Sequence, residues 1–340
     1  MKDKKKLIRN LIVFCLLIIL TFYMILKDED LFAMFNIIKN ANIGYLLIAV
    51  FCMCIYIILE GVNIGRTLRK LGVKTSFWQT VKYSCIGFFF SSITPAASGG
   101  QPMQVYYMKK DHLSVAKSTL ALLINLTSMQ IVTISLALIS VIFNHQYLNG
   151  PLALFCTIGI MLNISALSLL LITIISKRST NWLINIAIKI MKFFKIKNIE
   201  EKQEKLKKEL GKYQESAKYL KENRGMLTKT IIITLIQFLF YYGITYFVVR
   251  ALGVGEEHNI FKIISMQSLV YATVSGIPSP GAIGVSEGAF IEIFKNICPV
   301  GIINSMVILN RGVNFYLFVL ISAVVVIVTE IRKNNKQRKD

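Results

Sequence analysis

Two short stretches dense in Gly, Pro and Ser interrupt otherwise apolar runs, and they constrain this chain more than anything else in it. The first reads Ser91-Ser92-Ile93-Thr94-Pro95-Ala96-Ala97-Ser98-Gly99-Gly100-Gln101-Pro102. The second reads Ser275-Gly276-Ile277-Pro278-Ser279-Pro280-Gly281-Ala282-Ile283-Gly284-Val285-Ser286-Glu287-Gly288. Pro removes a backbone donor and clashes with the preceding turn, so neither stretch continues as plain helix. Several of the chain's apolar runs reach the roughly 20 residues that span a bilayer, and the mean hydropathy is +0.59. In hydrocarbon, freed backbone groups are tolerated only when buried in protein or lining a wet cavity. Paired interruptions in two halves of a membrane chain point to a transport-type binding site. The two breaks are therefore the candidate site of an all-α polytopic membrane protein.

The net charge of +21 in a soluble chain would suggest nucleic acid. Here Lys and Arg are expected to gather in cytoplasmic loops against anionic lipid, with no nucleic-acid partner. The six Cys, at 15, 52, 54, 85, 156 and 298, lie mostly inside apolar runs. Cys52 and Cys54 do not have a metal spacing, and His112, His145 and His258 are scattered on loops. There is no G-x-S-x-G, Walker A or H-E-x-x-H motif, so no catalytic residue, metal or cofactor is expected.

The pattern predicts full spans at Leu7–Leu26, Ile43–Val62, Ala116–Phe143, Pro151–Ile175, Thr230–Val249 and Ile303–Glu330. Leu7–Leu26 starts basic like a signal peptide but is too long for one, and no A-x-A-like site follows, so it reads as an anchor. Phe77–Phe90 and Ile260–Val274 are too short to cross alone, and each runs into a break. The chain resumes as Met103–Met108 after the first break and as Ala289–Ile297 after the second. Reading both broken units as re-entrant hairpins puts 32 Lys/Arg on the cytoplasmic side and five outside. Both termini are then cytoplasmic, in the cell membrane. The hairpins would enter from opposite sides, giving an inverted repeat: one copy at about 43–143, the other at about 230–330, with Pro95 183 residues before Pro278. Residues 177–229, with 15 Lys/Arg against six Glu, read as a cytoplasmic basic amphipathic helical segment, either on the membrane surface or packed on itself.

Glu287 is the ionisable group expected at membrane depth, with Arg311 as its partner. Asn310 and Asn314, four apart, would share a face near Arg311. In one reading the pair forms a polar pocket in which Arg311 meets a lipid phosphate. In the other it is a structural ion pair pinning the hairpin. Ser275, Ser279 and Ser286 could also receive a phosphate at the half-helix N-terminus. Glu60, near the end of its span, reads as snorkelling to an interface.

The sequences Thr94-Pro95-Ala96-Ala97-Ser98-Gly99-Gly100-Gln101-Pro102 and Pro278-Ser279-Pro280-Gly281-Ala282-Ile283-Gly284-Val285-Ser286-Glu287-Gly288 resemble the paired motifs of the lysylphosphatidylglycerol synthase transmembrane family. That family includes the membrane half of the multiple peptide resistance factor. Arg311 resembles an Arg typical of the family's last helix. The resemblance implies a flippase-like protein that moves a phospholipid, lysylphosphatidylglycerol being the one it points to, between leaflets, and so supports resistance to cationic peptides. It implies a substrate site at Thr94, Pro95, Ser98, Gly99, Gly100, Gln101, Pro278, Pro280, Gly281, Gly284, Ser286, Glu287, Asn310, Arg311 and Asn314. The expected partners are an anionic or aminoacylated phospholipid, with a separate soluble synthase or a second copy of the chain. The alternative is phosphatidylglycerol lysyl transfer from lysyl-tRNA, done directly or with such a synthase. The sequence stops about ten residues beyond the last expected span, so the family's C-terminal synthase domain is expected to be missing.

Overall fold

In a computed structural model of the chain, the described residues are 31–148, 150–175, 224–255, 257–275, 277, 279–295 and 297–337, with isolated positions at 12, 16, 19, 23 and 204. The expected first span and the basic segment up to residue 223 lie outside them, as do Gly276 and Pro278. Among the described residues all regular structure is helical. In chain order the helices are α1 (Leu31–Lys39), α2 (Ile43–Lys70), α3 (Phe77–Ser92), α4 (Gly100–Lys110), α5 (Val115–Asn144) and α6 (Gly150–Ile175). They continue as α7 (Arg224–Ala251), α8 (Ile260–Val274), α9 (Val285–Phe294), α10 (Val300–Arg311) and α11 (Leu317–Gln337). Four described segments are long and apolar enough to cross a membrane: Ile43–Lys70, Val115–Asn144, Gly225–Ala251 and Gly301–Arg332.

Local chemistry sets the helix starts. Asn42, Ser114 and Asn259 each cap the helix that follows, accepting a backbone N–H on the side-chain oxygen. Ser76 and Gln79 form a reciprocal capping box that starts α3. The residues between α2 and α3 and between α4 and α5 carry the charges and turn formers that an apolar helix end requires.

The centre of the bundle is the seam between α2 and α7. Asn42 N–H donates to Ala251 O at 2.8 Å, Asn63 Nδ2 donates to Thr234 Oγ1 at 3.1 Å, and Arg66 Nη2 donates to Met226 O at 3.3 Å. The start of one helix meets the end of the other, so the two run antiparallel. The hairpin α3–α4 follows the end of α2 and the hairpin α8–α9 follows the end of α7. They therefore enter the bundle from opposite ends. The remaining packing is reciprocal: α3 lies against α2 and α11, while α8 lies against α7 and α5. Ser140 and Ser268 hydroxyls join α5 to α8 at 2.6 Å.

The second span differs from expectation: it runs to Lys70, two turns beyond Val62. The polar residues just past the expected end, Asn63 and Arg66, donate hydrogen bonds to α7. This places Glu60 well inside the helix, where it is half-buried and accepts a hydrogen bond from Gln104 Nε2 at 3.2 Å. It does not snorkel. The same stretch holds Gly61 and Gly65, one turn apart. A β-carbon on Gly61 would sit 2.9 Å from the Val81 backbone, and one on Gly65 would sit 2.9 Å from Thr80. This small-xxx-small stripe lets α3 approach α2 at backbone distance.

Candidate functional site

The two breaks form the same local structure. Each is a 3-10 turn opening on proline, Pro95–Ala97 in the first and Pro280–Ala282 in the second. In each turn the two residues after proline have positive φ: Ala96 (51°) and Ala97 (53°), then Gly281 (60°) and Ala282 (51°). The structural partner of Pro95 is thus Pro280, 185 residues on, and not Pro278. The helices resume at Gly100 and Val285, earlier than the expected Met103 and Ala289. The reason is positional: glycine, proline and short polar residues are all tolerated in a helix's first turn. Gly100, Gln101, Ser286 and Glu287 are therefore helical. The two 3-10 turns lie against each other, with Cα atoms within 8 Å. Pro95 and Ser98 are exposed at the first tip, whereas Pro280 is buried at the second.

In the first break, Thr94 holds the turn. Its hydroxyl donates to Phe90 O at 2.6 Å and accepts from Gly99 N–H at 2.8 Å. At the foot of the hairpin Lys82 pairs with Asp111 at 2.6 Å, and Tyr83 Oη donates to the same carboxylate at 2.7 Å. Asp111 ends α4, so this cluster ties one arm of the hairpin to the other.

The second break carries the charge. Arg311 Nε donates to Glu287 Oε1 at 2.8 Å, and Arg311 Nη2 donates to Gly281 O at 3.0 Å. Glu287 Oε2 accepts from Gly284 N–H at 2.8 Å and from Ser286 Oγ at 3.0 Å. Glu287 is 3% exposed and Arg311 9%. The guanidinium lies over the Phe315 ring, 4.1 Å from its centroid, a cation–π stack that strengthens as water is excluded. Phe315 in turn occupies the space beside Gly281, where a β-carbon would come within 2.2 Å of the ring. The pair named from sequence is present, and it closes the turn by joining carboxylate, guanidinium and turn carbonyl.

A π-helical turn at Gly312–Tyr316 follows Arg311 directly. Such turns concentrate at functional sites. Nothing in the sequence signals it, and it alters the expected relation of Asn310 to Asn314. Asn310 Oδ1 accepts from Thr245 on α7 at 3.1 Å, while Asn314 is buried inside the widened turn. Ser275 and Ser279 are also engaged locally. Ser275 Oγ donates to Asn163 Oδ1, and Ser279 Oγ donates to Ile283 O. Sequence reasoning passed over Gln104, which is 3% exposed and bonds both Glu60 and Tyr83 O. Its only signal is a polar side chain two residues past Pro102, between Met103 and Val105. Among the described residues no group of three or more His, Cys, Asp or Glu could hold a metal ion.

Long apolar helices around two broken hairpins, with a buried ion pair where the tips meet, define a polytopic membrane protein with an internal polar centre. The chain belongs to the family described as the lysylphosphatidylglycerol synthase transmembrane region, whose model matches residues 8–322. Among similar proteins is a UPF0104 membrane protein of Pyrococcus horikoshii, 24% identical over 300 residues, covering 86% of this chain and 89% of the relative. A UPF0104 membrane protein of Archaeoglobus fulgidus is 22% identical over 305 residues, covering 85% and 88% respectively.

Proposed function

We propose that this protein moves a phospholipid between leaflets, passing the headgroup between the two hairpin tips while the acyl chains stay in lipid. What carries the reading is the junction of two like-built turns that enter from opposite ends. Such paired half-helix ends are the usual setting of a midplane binding site. Arg311 is the phosphate-recognising group, and Glu287 and Phe315 hold it ready. Ser98 and Gln101 on the first tip and Ser286 on the second complete a neutral, hydrogen-bonding surface around it. We take the chain to be an inverted repeat of about 43–143 and 230–330 in the cell membrane, with six full spans, two re-entrant hairpins and cytoplasmic termini. Lysylphosphatidylglycerol is the lipid favoured by the family's name, and resistance to cationic peptides is the cellular outcome that would follow.

A second reading has the chain take part in making lysylphosphatidylglycerol, alone or beside a separate soluble synthase. The family description, which names a synthase, is what favours it. The deciding experiment reconstitutes the protein in liposomes with labelled phosphatidylglycerol or its lysyl ester and follows access of a membrane-impermeant quencher. Protein-dependent exchange that Glu287→Gln abolishes supports lipid movement. No exchange of any lipid, together with lysyl transfer when lysyl-tRNA is supplied, refutes it in favour of synthesis.

A further inference from the structure

The two halves differ in how they treat an acid held within the bundle. In the second, Glu287 is balanced by Arg311. In the first, Glu60 lies within α2, ten residues before the helix ends, and its hydrogen-bond donor is the neutral amide of Gln104. The surrounding elements supply no cation among the described residues. Lys82 on α3 is committed to Asp111, and Arg311 beside the π turn is committed to Glu287. Arg66, further along α2, is bonded to α7. The titratable groups that do face Glu60 are Tyr56 on its own helix, Cys85 on α3 and Tyr271 on α8. All three are neutral in their ordinary state.

An ionised carboxyl at membrane depth is costly, and either a cation or a proton relieves the cost. With no cation built in, the geometry points to the proton. We propose that Glu60 is a proton-binding site that governs the docking of the first hairpin on α2. The proton adds to a carboxylate oxygen from water and leaves to water, and no other bond changes. Gln104 is the link. Its Nε2 spans Glu60 Oε1 at 3.2 Å and Tyr83 O at 3.1 Å, so one amide holds α2, α3 and α4 together. A proton on Oε1 makes that oxygen a weaker acceptor and adds an O–H donor, so the amide's hold on Glu60 loosens while its bond to Tyr83 O stays. The first hairpin is then the proton-responsive one, while the charge-neutral Glu287–Arg311 pair keeps the second fixed. If the chain moves lipid as proposed above, that movement is proton-coupled, a consequence that rests on that reading.

Infrared difference spectra of the protein in lipid nanodiscs test the site without any transport. Acidification of wild type should raise a carboxylic-acid C=O band that is absent in Glu60→Gln and kept in Glu287→Gln. Should Glu60→Gln fail to insert, Glu60→Asp should keep the band and move its midpoint. A band that survives Glu60→Gln, no band in wild type, or a change that follows sodium instead of acid overturns the site. In liposomes, an imposed pH gradient should speed lipid exchange severalfold in wild type and leave Glu60→Gln unchanged. Wild-type exchange indifferent to the gradient overturns the coupling. Absence of exchange overturns the lipid-movement reading, while the infrared titration still decides the proton site.

Discussion

Removing one charge from the Glu287–Arg311 pair should cost far more than removing both. Arg311→Met leaves Glu287 with two donors, Gly284 N–H and Ser286 Oγ, but with no counter-charge in a buried site. Loss of one partner from a buried pair costs about 3–5 kcal/mol, and the two surviving donors put this variant near ~3 kcal/mol. Glu287→Gln leaves the guanidinium on Gly281 O and the Phe315 face. The ring contact returns roughly 1–2 kcal/mol, so about 2–3 kcal/mol is expected. If the two costs were independent they would sum to ~5–6 kcal/mol. The double variant contains no unpaired charge and should lose no more than about 2 kcal/mol, a coupling near 3–4 kcal/mol. Reversible unfolding in mixed micelles at rising sodium dodecyl sulfate measures all four corners of this cycle. A coupling below about 1 kcal/mol would refute the claim that the two groups act as one buried pair. The same four proteins separate scaffold from function. If the pair only pins the hairpin, the double variant regains lipid exchange along with stability. If Arg311 receives phosphate, stability returns and exchange does not.

Three further outcomes follow from the packing. Gly61→Leu places a side chain where a β-carbon already meets the Val81 backbone at 2.9 Å, so α3 is forced off α2. Monodisperse protein after solubilisation should be lost, with Gly61→Ala losing about 1–3 kcal/mol by the same unfolding assay. Asn163→Leu removes the amide that bonds Gly159 O, Ala272 O and Ser275 Oγ. Amide exchange should accelerate about tenfold or more at the end of α8, with α2 unaffected. The Lys110–Glu330 pair at 2.9 Å is about one-third exposed on both sides, so Glu330→Gln should cost less than ~1 kcal/mol and less still at high salt. A larger, salt-independent loss would mean that this end of α11 is buried against something beyond the described residues.

How much of this was legible in the sequence depends on which property carried the signal. The breaks were visible because proline and glycine are read directly from the backbone chemistry they forbid. The Glu287–Arg311 pair was visible because two charges in apolar surroundings need each other. The extension of α2 was not, because Asn63 and Arg66 look like the end of a span until a partner helix supplies Thr230, Thr234 and Met226 O. Glu60 was misplaced for the same reason. The helical character of Gly100–Gln101 and Ser286–Glu287 was hidden because residues suited to a helix's first turn are also those suited to a loop. The π turn was hidden because it adds no residue type of its own. The position of the cysteines in apolar runs carried over to the five described: Cys52, Cys85, Cys156 and Cys298 are buried and unbridged, and Cys54 is half-buried.

The cluster of Lys82, Tyr83 and Asp111 has a mechanical meaning. It fastens the two feet of the first hairpin together, leaving the tip as the free end of a lever. Arm α3 ends at Ser92, so the part beyond the clamp at Tyr83 is about 14 Å long at 1.5 Å per residue. A tilt of roughly 10° about the clamp would carry the end of that arm about 2–3 Å sideways, comparable to the length of a hydrogen bond. Such a tilt bends no helix and breaks no bond within either arm. It slides α3 along the Gly61–Gly65 stripe, where the absence of side chains gives the smoothest track in the bundle. A small rotation at one edge of the protein would thus open or close the gap between the two tips at its centre.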